Sequence, residues 1–206
     1  MFLSFRDGKA GLGNDHLYIY RPGSDQGGGG TFDFIGTHLT GVLSNPYVNG
    51  MDYNPHDGKL HITWVWRGFV EYDGWDDPLD TKHKQQAGPN GAENNHDLCY
   101  AFSDDLGYTW RNGGGLVIAD LKDGGGDGRG RKVAGTISNG AEGIVAVEIP
   151  KGRGLMNQEA QAVDSRGGVH VLNRDCVGGE GECMWKHYYR CPGDGRFCSF
   201  QFDGLV

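Results

Sequence analysis

Arg6, Arg67 and Arg174 each close a short apolar run, in "FLSFR", "LHITWVWR" and "GVHVLNR". A guanidinium presents its N–H groups as a planar fork that matches the two oxygens of a carboxylate or sulfate. Three such groups at one mouth suit an anionic substrate, even in a chain whose formal net charge is -8. The competing reading is that each arginine pairs with a nearby aspartate and only holds a repeat together. His96 in "NHDLCY" and His187 in "KHYYR" come next, because imidazole exchanges protons near neutral pH. Asn49, Asn157 and Gln158 add amides that could orient a ligand, and Asp15 adds a carboxylate.

These residues can meet only if the elements carrying them repeat. Apolar and polar residues alternate with period two, Leu60, Ile62, Trp64 and Trp66 against His61, Thr63, Val65 and Arg67, and no stretch gives a helical stripe over three turns. The spacing predicts strands over 2–6, 15–21, 31–37, 46–53, 60–67, 96–103, 108–112, 157–163, 169–174, 185–190 and 197–202. Turn signals such as "HDGK", "SRGG" and "PGDG" separate them. "YVNGMDYNPHDGKLHITWVWR" and "LMNQEAQAVDSRGGVHVLNR" share an Asn, an Asp, a Gly turn and a closing Arg, so each reads as a hairpin ending in arginine. Repeated four-stranded antiparallel units of this kind predict an all-β fold built as a β-propeller. The expected division is one partial domain over 1–206. Blade one (1–44) lacks its first strand, blade two spans 45–112, a glycine-rich connection fills 113–154, and blade three spans 155–206. At about 40 to 50 residues per blade this makes roughly three blades, whereas closed propellers have at least about four. The chain is therefore expected to be part of a longer protein.

The octapeptide "SDDLGYTW" fits the Asp-box pattern at Ser103, Asp105, Gly107, Thr109 and Trp110. Its logic is turn chemistry. Ser and Asp side chains bond nearby backbone N–H groups, Gly takes the positive-φ position and Trp packs beneath. Such a box joins the third and fourth strands of a blade. Because antiparallel strands alternate direction, the connections on its face are short, and the long ones, 68–95 and 113–154, fall on the opposite rim. Arg6, Arg67 and Arg174 end second strands there, Asp15, His96 and His187 begin third strands, and Asn49, Asn157 and Gln158 begin first strands. His61 falls near the other end of its strand and reads as a packed residue.

Composition limits the partners. The acidic balance argues against nucleic acid, and no apolar stretch approaches the roughly 20 residues of a membrane helix. "GGGDGRGRK" lacks the Gly-Lys-Ser/Thr ending of a phosphate loop. Cys176, Cys183, Cys191 and Cys198 are spaced to staple two small loops, and a zinc site is less favoured because six intervening residues exceed the usual ligand spacing. Cys99, inside an apolar strand, reads as a buried free thiol. "MFLSFRDGK" carries no signal-peptide pattern, so the extracellular location expected below would need a signal lost by truncation. Asp76, Asp77 and Asp80 in "GWDDPLD" are a candidate structural Ca2+ set, with a solvated acidic loop as the rival reading.

"FRDGKAGLGN", "LHITWVWR", "NHDLCYAFSDDLGYTW" and "LMNQEAQAVDSRGGVHVLNRD" resemble the BNR-repeat propeller family that includes ulvan lyases and rhamnose-glucuronate lyases. The insertion over 68–95 resembles fungal members of it. The resemblance implies a secreted, seven-bladed parent that cleaves an anionic polysaccharide beside a uronic acid by β-elimination. That chemistry needs a neutraliser for the uronate carboxylate, a base for the C5 proton and an acid for the departing O4. His96 matches the family's rim histidine and is the first choice as base or acid. Tyr188 or His187 is its candidate partner, Arg174 or Arg67 the candidate neutraliser, and Asn49, Asn157, Gln158 and Arg6 the candidate substrate contacts. Two rivals stay open. One is a sialidase-like hydrolase, which would need a Tyr/Glu nucleophile pair such as Tyr47 with Glu159. The other is a non-catalytic carbohydrate-binding propeller using Tyr72, Trp75 and Trp185 as stacking platforms.

Overall fold

The structure is a computed structural model that describes residues 1–23, 29–77, 79, 88–122, 134–157, 159–176 and 183–201. Its strands are β1 (Phe2–Arg6), β2 (Asn14–Arg21), β3 (Thr31–Thr40), β4 (Ser44–Asn54), β5 (Lys59–Gly68), β6 (Asn95–Ser103), β7 (Thr109–Arg111), β8 (Val117–Asp120), β9 (Ile137–Ser138), β10 (Val145–Val147), β11 (Ala160–Val163), β12 (Val169–Cys176), β13 (Cys183–Arg190) and β14 (Phe197–Gln201). The helical element among the described residues is a 3-10 turn over Ala92–Asn94. Three sheets result, β1-β2-β3-β9, then β4-β5-β6-β7-β8 with β10 beside β6, then β11-β12-β13-β14. Among the described residues the strands pair antiparallel, except that β9 runs parallel to β3 and an isolated parallel bridge joins Ala119 of β8 to Ala134.

The second sheet is the middle layer. Leu60, Ile62, Trp64 and Trp66 of β5 pack with Leu17, Ile19, Ile35 and Leu39 of the first sheet. Val65, with Leu98 and Tyr100 of β6, packs on the other side with Val169, Val171 and Tyr188 of the third. Both faces of β5 are thus covered, and every residue from Leu60 to Gly68 is buried. The outer faces of the stack differ. Leu3, Phe5, Phe32 and Phe34 stand 43–56% exposed on the first sheet, and Phe200 stands 54% exposed on the third. Clustered exposed aromatics on a sheet face mark a surface that something else covers.

Two sequence expectations are corrected here. The segment 113–154 is not only a connection, because it supplies β8, β9 and β10. β7 meets β6 only at the Asp-box end, through Phe102 and Arg111, while β10 pairs with Leu98 and Cys99 nearer the other end. These short strands, of four, two and three residues, are too brief to show an alternation. Secondly, of the two expected staples one forms, Cys176–Cys183, whereas Cys191 and Cys198 are free and exposed. Cys99 is buried and free, and burial pushes its thiol well above the usual range.

The Asp box folds as its chemistry requires. Ser103 Oγ accepts from the N–H groups of Asp105 (3.3 Å) and Gly107 (2.8 Å), and Asp105 Oδ1 accepts from Thr109 N–H at 2.7 Å. Positive φ is shared by Leu106 (64°) and Gly107 (94°), not confined to the glycine. Trp110 is fully buried, its ring edge-on to His38 at 5.5 Å.

Candidate functional site

Antiparallel registry places Arg67 of β5 opposite Asn45 of β4 and Asn95 of β6, at the end of the sheet away from the Asp box. That registry dictates its hydrogen bonds. Arg67 donates Nε to Asn95 Oδ1 at 2.8 Å and one terminal nitrogen to the Asn90 carbonyl at 3.3 Å, and its other terminal nitrogen meets Asn157 Oδ1. Asn95 in turn donates to the carbonyls of Leu155 and Met156, both at 2.9 Å, tying the third sheet's entry loop to the same point. Arg6 reaches over from β1 to Asn45 Oδ1. The guanidinium carbons of Arg6 and Arg67 each lie 4.4 Å from the centre of the Tyr47 ring, within cation–π range.

Neither guanidinium forms an ion pair with a carboxylate among the described residues, so the aspartate-pairing reading fails for both. Arg67 is only 3% exposed, and burial lowers its pKa from the ordinary value, with Tyr47 opposing and Arg6 reinforcing that shift. Buried Arg67 and half-buried Arg6, with amides, a carbonyl and a phenol ring as their direct contacts and the Glu93 charge partly offsetting the desolvation of Arg67, form a cationic site with no direct carboxylate partner.

His96 follows Asn95 directly and stands at a β-bulge. Trp66 faces His96 and Val65 faces Leu98, so Asp97 is the extra residue, at φ 54°. Bulges re-aim side chains, and Asp97 is the anchor of this one. Its N–H and Oδ1 bond the backbone of Ile149 at 2.9 and 3.0 Å, while its Oδ2 meets His96 Nδ1 at 2.9 Å. An imidazole fixed through Nδ1 by a carboxylate presents Nε2 for proton transfer. His96 is part-exposed, with its side chain at 27%.

The remaining sequence candidates separate. His187 does not begin its strand. The hairpin continues past it to the Cys176–Cys183 pair, and His187 faces Leu172 in mid-ladder. There its Nε2 meets His170 Nδ1 at 2.9 Å, with ring planes only 2° apart. Tyr188 is 3% exposed inside the core between the second and third sheets, and burial pushes its phenol up to about 12. Asp15 is buried against His38 at 2.6 Å rather than exposed at the rim. Arg174 donates Nε to the Gly154 carbonyl at 3.1 Å. Asn157 precedes β11 and holds Arg67, as above. Asn49 lies at a second bulge, between Val48 and Gly50, 8% exposed and with both amide atoms unpartnered. Gln158 and Asp80 lie outside the described residues. Asp76 and Asp77 are exposed in the turn after Tyr72, and Asp77 accepts from Leu79 N–H at 2.8 Å.

Sequence reasoning passed over Asn45, Asn95 and Asp97 as contributors to the site, and considered Tyr47 only as a nucleophile rather than as the ring that holds two guanidiniums. Asn95 and Asp97 flank His96 in "NNHDL", and that flanking was the available signal. Glu159 was considered only as half of a nucleophile pair with Tyr47. The Tyr47 ring carries the two guanidiniums, and Glu159 is fastened to the N–H groups of Met156 (2.8 Å) and Arg174 (3.2 Å). Burial raises its carboxyl to about 7, against the lowering effect of those two N–H groups and the Arg174 charge. His61 is packed, as its position suggested, with Nδ1 at 2.9 Å from the Tyr100 hydroxyl.

No curated protein matches the sequence. Solved structures do match in fold. The polysaccharide lyase Uly1 aligns over 97% of this chain with a TM-score of 0.54 at 17% identity. A PL25 ulvan lyase bound to -[GlcA(1-4)Rha3S]- aligns over 96% with a TM-score of 0.57 at 13% identity. The chain spans 37% and 40% of the lengths of those two proteins. A family model described as "BNR repeat-containing family member" matches residues 1–202. With that match over nearly its whole length, this chain belongs to the BNR repeat-containing family.

Proposed function

We propose that this chain carries part of the active site of an extracellular polysaccharide lyase, built as a longer propeller, that cleaves a uronate-containing anionic glycan by β-elimination. The observation that carries the reading is the pair of guanidiniums, Arg6 and Arg67, on Tyr47 without a carboxylate ion pair, with Arg67 held by Asn95, the residue before His96. The lyase likeness of the fold supports it. In this reading Arg67, aided by Arg6, neutralises the uronate carboxylate, which acidifies the C5 proton. His96 Nε2 takes that proton, the C5–H electrons form the C4–C5 double bond, and the C4–O4 bond breaks with its electrons on O4. Where the C5 hydrogen and O4 share a face, the same imidazolium returns the proton to O4. Asn157 and Asn95 hold Arg67, and Asp97 holds His96, so these three position the chemistry without performing it. Exposed aromatics on both outer sheet faces support further blades on each side.

The test is incubation with ulvan and with other glucuronate polysaccharides while ultraviolet absorbance of the conjugated double bond is followed. New reducing ends without that absorbance would identify a hydrolase instead, and binding without products would identify a carbohydrate-binding module.

A further inference from the structure

A second candidate site lies beside β6 and β10, apart from the Arg6–Tyr47–Arg67 cluster. A cleft of about 320 Å³ opens between the second and third sheets, lined among others by Tyr100, Gly113, Gly143, Gly195, Arg196 and Phe197. It is bordered by the turn between β13 and β14 and by β10, which pairs with Cys99 of β6, and its lining includes neither Arg67 nor His96. Tyr100 and Phe197 meet edge to face at 5.6 Å and give it an aromatic corner. Its glycines keep the wall low enough for a flat ring to enter, the Gly113 carbonyl and Gly195 N–H being already bonded to Arg190 and Cys191.

The charge of this cleft is unbalanced. Arg190 is 8% exposed and wrapped by three lining residues. Its Cζ lies 4.6 Å from the centre of the Tyr100 ring, a terminal nitrogen makes a long 3.4 Å bond to the Gly113 carbonyl, and a Cβ on Gly195 would come within 2.9 Å of it. Its Nε is buried with no hydrogen-bond partner. A buried guanidinium normally has its donors filled, because leaving them empty is costly. Arg196 stands exposed at the mouth, and among the described residues neither arginine forms an ion pair. Two cations, an aromatic corner and a glycine wall in a cleft near the lower end of ligand-pocket sizes, about 300 Å³, define a small anionic ring.

We infer that this cleft is a non-catalytic subsite for one anionic pyranose, carboxylated or sulfated, separate from the Arg67 and His96 rim. The choice of a sugar as the ring rests on the proposed function, while the need for an anion rests on Arg190 and Arg196 alone. The ring face packs against Phe197, and the anionic group takes the free donors of Arg190 and Arg196.

Isotope-labelled chain titrated with glucuronate, glucose 6-sulfate, glucose and inorganic sulfate, and followed by amide chemical shifts, tests this. Saturable shifts at Tyr100, Gly113, Gly195 and Phe197 with both anionic sugars, weaker with sulfate and absent with glucose, are expected. Arg196→Ala, at an exposed position that leaves the core intact, should weaken them roughly tenfold, and Arg196→Lys should restore part of the loss. Equal binding of inorganic sulfate and the anionic sugars would overturn the pyranose assignment, and shifts confined to the rim would overturn the site. Cleft binding without any elimination activity would overturn the lyase reading and leave the subsite standing.

Discussion

The guanidinium carbon of Arg67 lies 4.4 Å from the centre of the Tyr47 ring, and all three of its hydrogen bonds go to uncharged oxygens. A buried cation with this environment has been desolvated without being neutralised, which predisposes it toward an incoming anion. Arg67→Lys keeps the charge but loses the planar fork that spans Asn95 and Asn157. It should cost about 1–2 kcal/mol in uronate binding, roughly tenfold. Arg67→Ala should also lower stability by about 2 kcal/mol, since it leaves Asn95 and Asn157 short of a donor. Calorimetry and denaturant unfolding separate the two effects.

Asp97 is the positioning residue whose effect a purely structural role would not reproduce. Asn tolerates the left-handed backbone at φ 54°, so Asp97→Asn keeps the bulge while removing the negative charge beside His96. The elimination rate should fall about tenfold while the unfolding midpoint and substrate binding stay unchanged. An unchanged rate would show that Asp97 does not position His96.

Glu159 should leave a mark on stability. Its folded pKa, about 7, lies above the ordinary 4.5, so between those values the folded state holds more protons than the unfolded one. The sign is opposite to that of a salt-bridged carboxylate. Stability should decline as pH rises from 4.5 to 7, by about 3 kcal/mol at most, and stay lowered above that range. Glu159→Gln should flatten this slope in thermal melts at pH 5 and pH 8.

The Asp box should respond as a fold element only. At Gly107 the backbone has φ 94°, and a Cβ would stand 2.5 Å from Leu17 Cδ2 of the neighbouring sheet. Gly107→Ala is therefore expected to destabilise by about 2 kcal/mol or more. Binding per folded molecule, measured at a temperature where the variant stays folded, should not change.

The Cys176–Cys183 bridge closes a loop with a sequence separation of 7. Its removal in Cys176→Ser should cost about 2 kcal/mol by the chain-entropy relation. The consequence should be a lower unfolding midpoint, matched by adding reductant to the unaltered chain.

The sequence showed those parts of the fold where a period or a turn chemistry repeats. "LHITWVWR" announced β5 by alternation, and "SDDLGYTW" announced the β6–β7 turn through residues that bond their own backbone. β9 and β10 are held by partners distant in sequence, Leu39 and Thr40 for β9 and Leu98 and Cys99 for β10, so nothing local marks them, and β8, though a close hairpin partner of β7, is too short to show an alternation. The rim residues were legible by topology as far as Arg6, Arg67 and His96. His187 was misplaced because the disulfide lengthens its hairpin, and Tyr188 because alternation alone does not say which face of the third sheet is covered. Asp97 escaped notice because a bulge is a mismatch between two strands, visible only once both are paired.

The central claim is that His96 acts with Arg67 and Arg6, carried by the same end of the second sheet and its neighbour, to drive elimination from a uronate glycan. The most direct measurement is the rate at which double-bond absorbance appears with a glucuronate polysaccharide, for the unaltered protein and for His96→Ala. The account predicts a steady rise that falls at least about a hundredfold in the variant. A rise that survives the substitution, or new reducing ends with no absorbance, would contradict it.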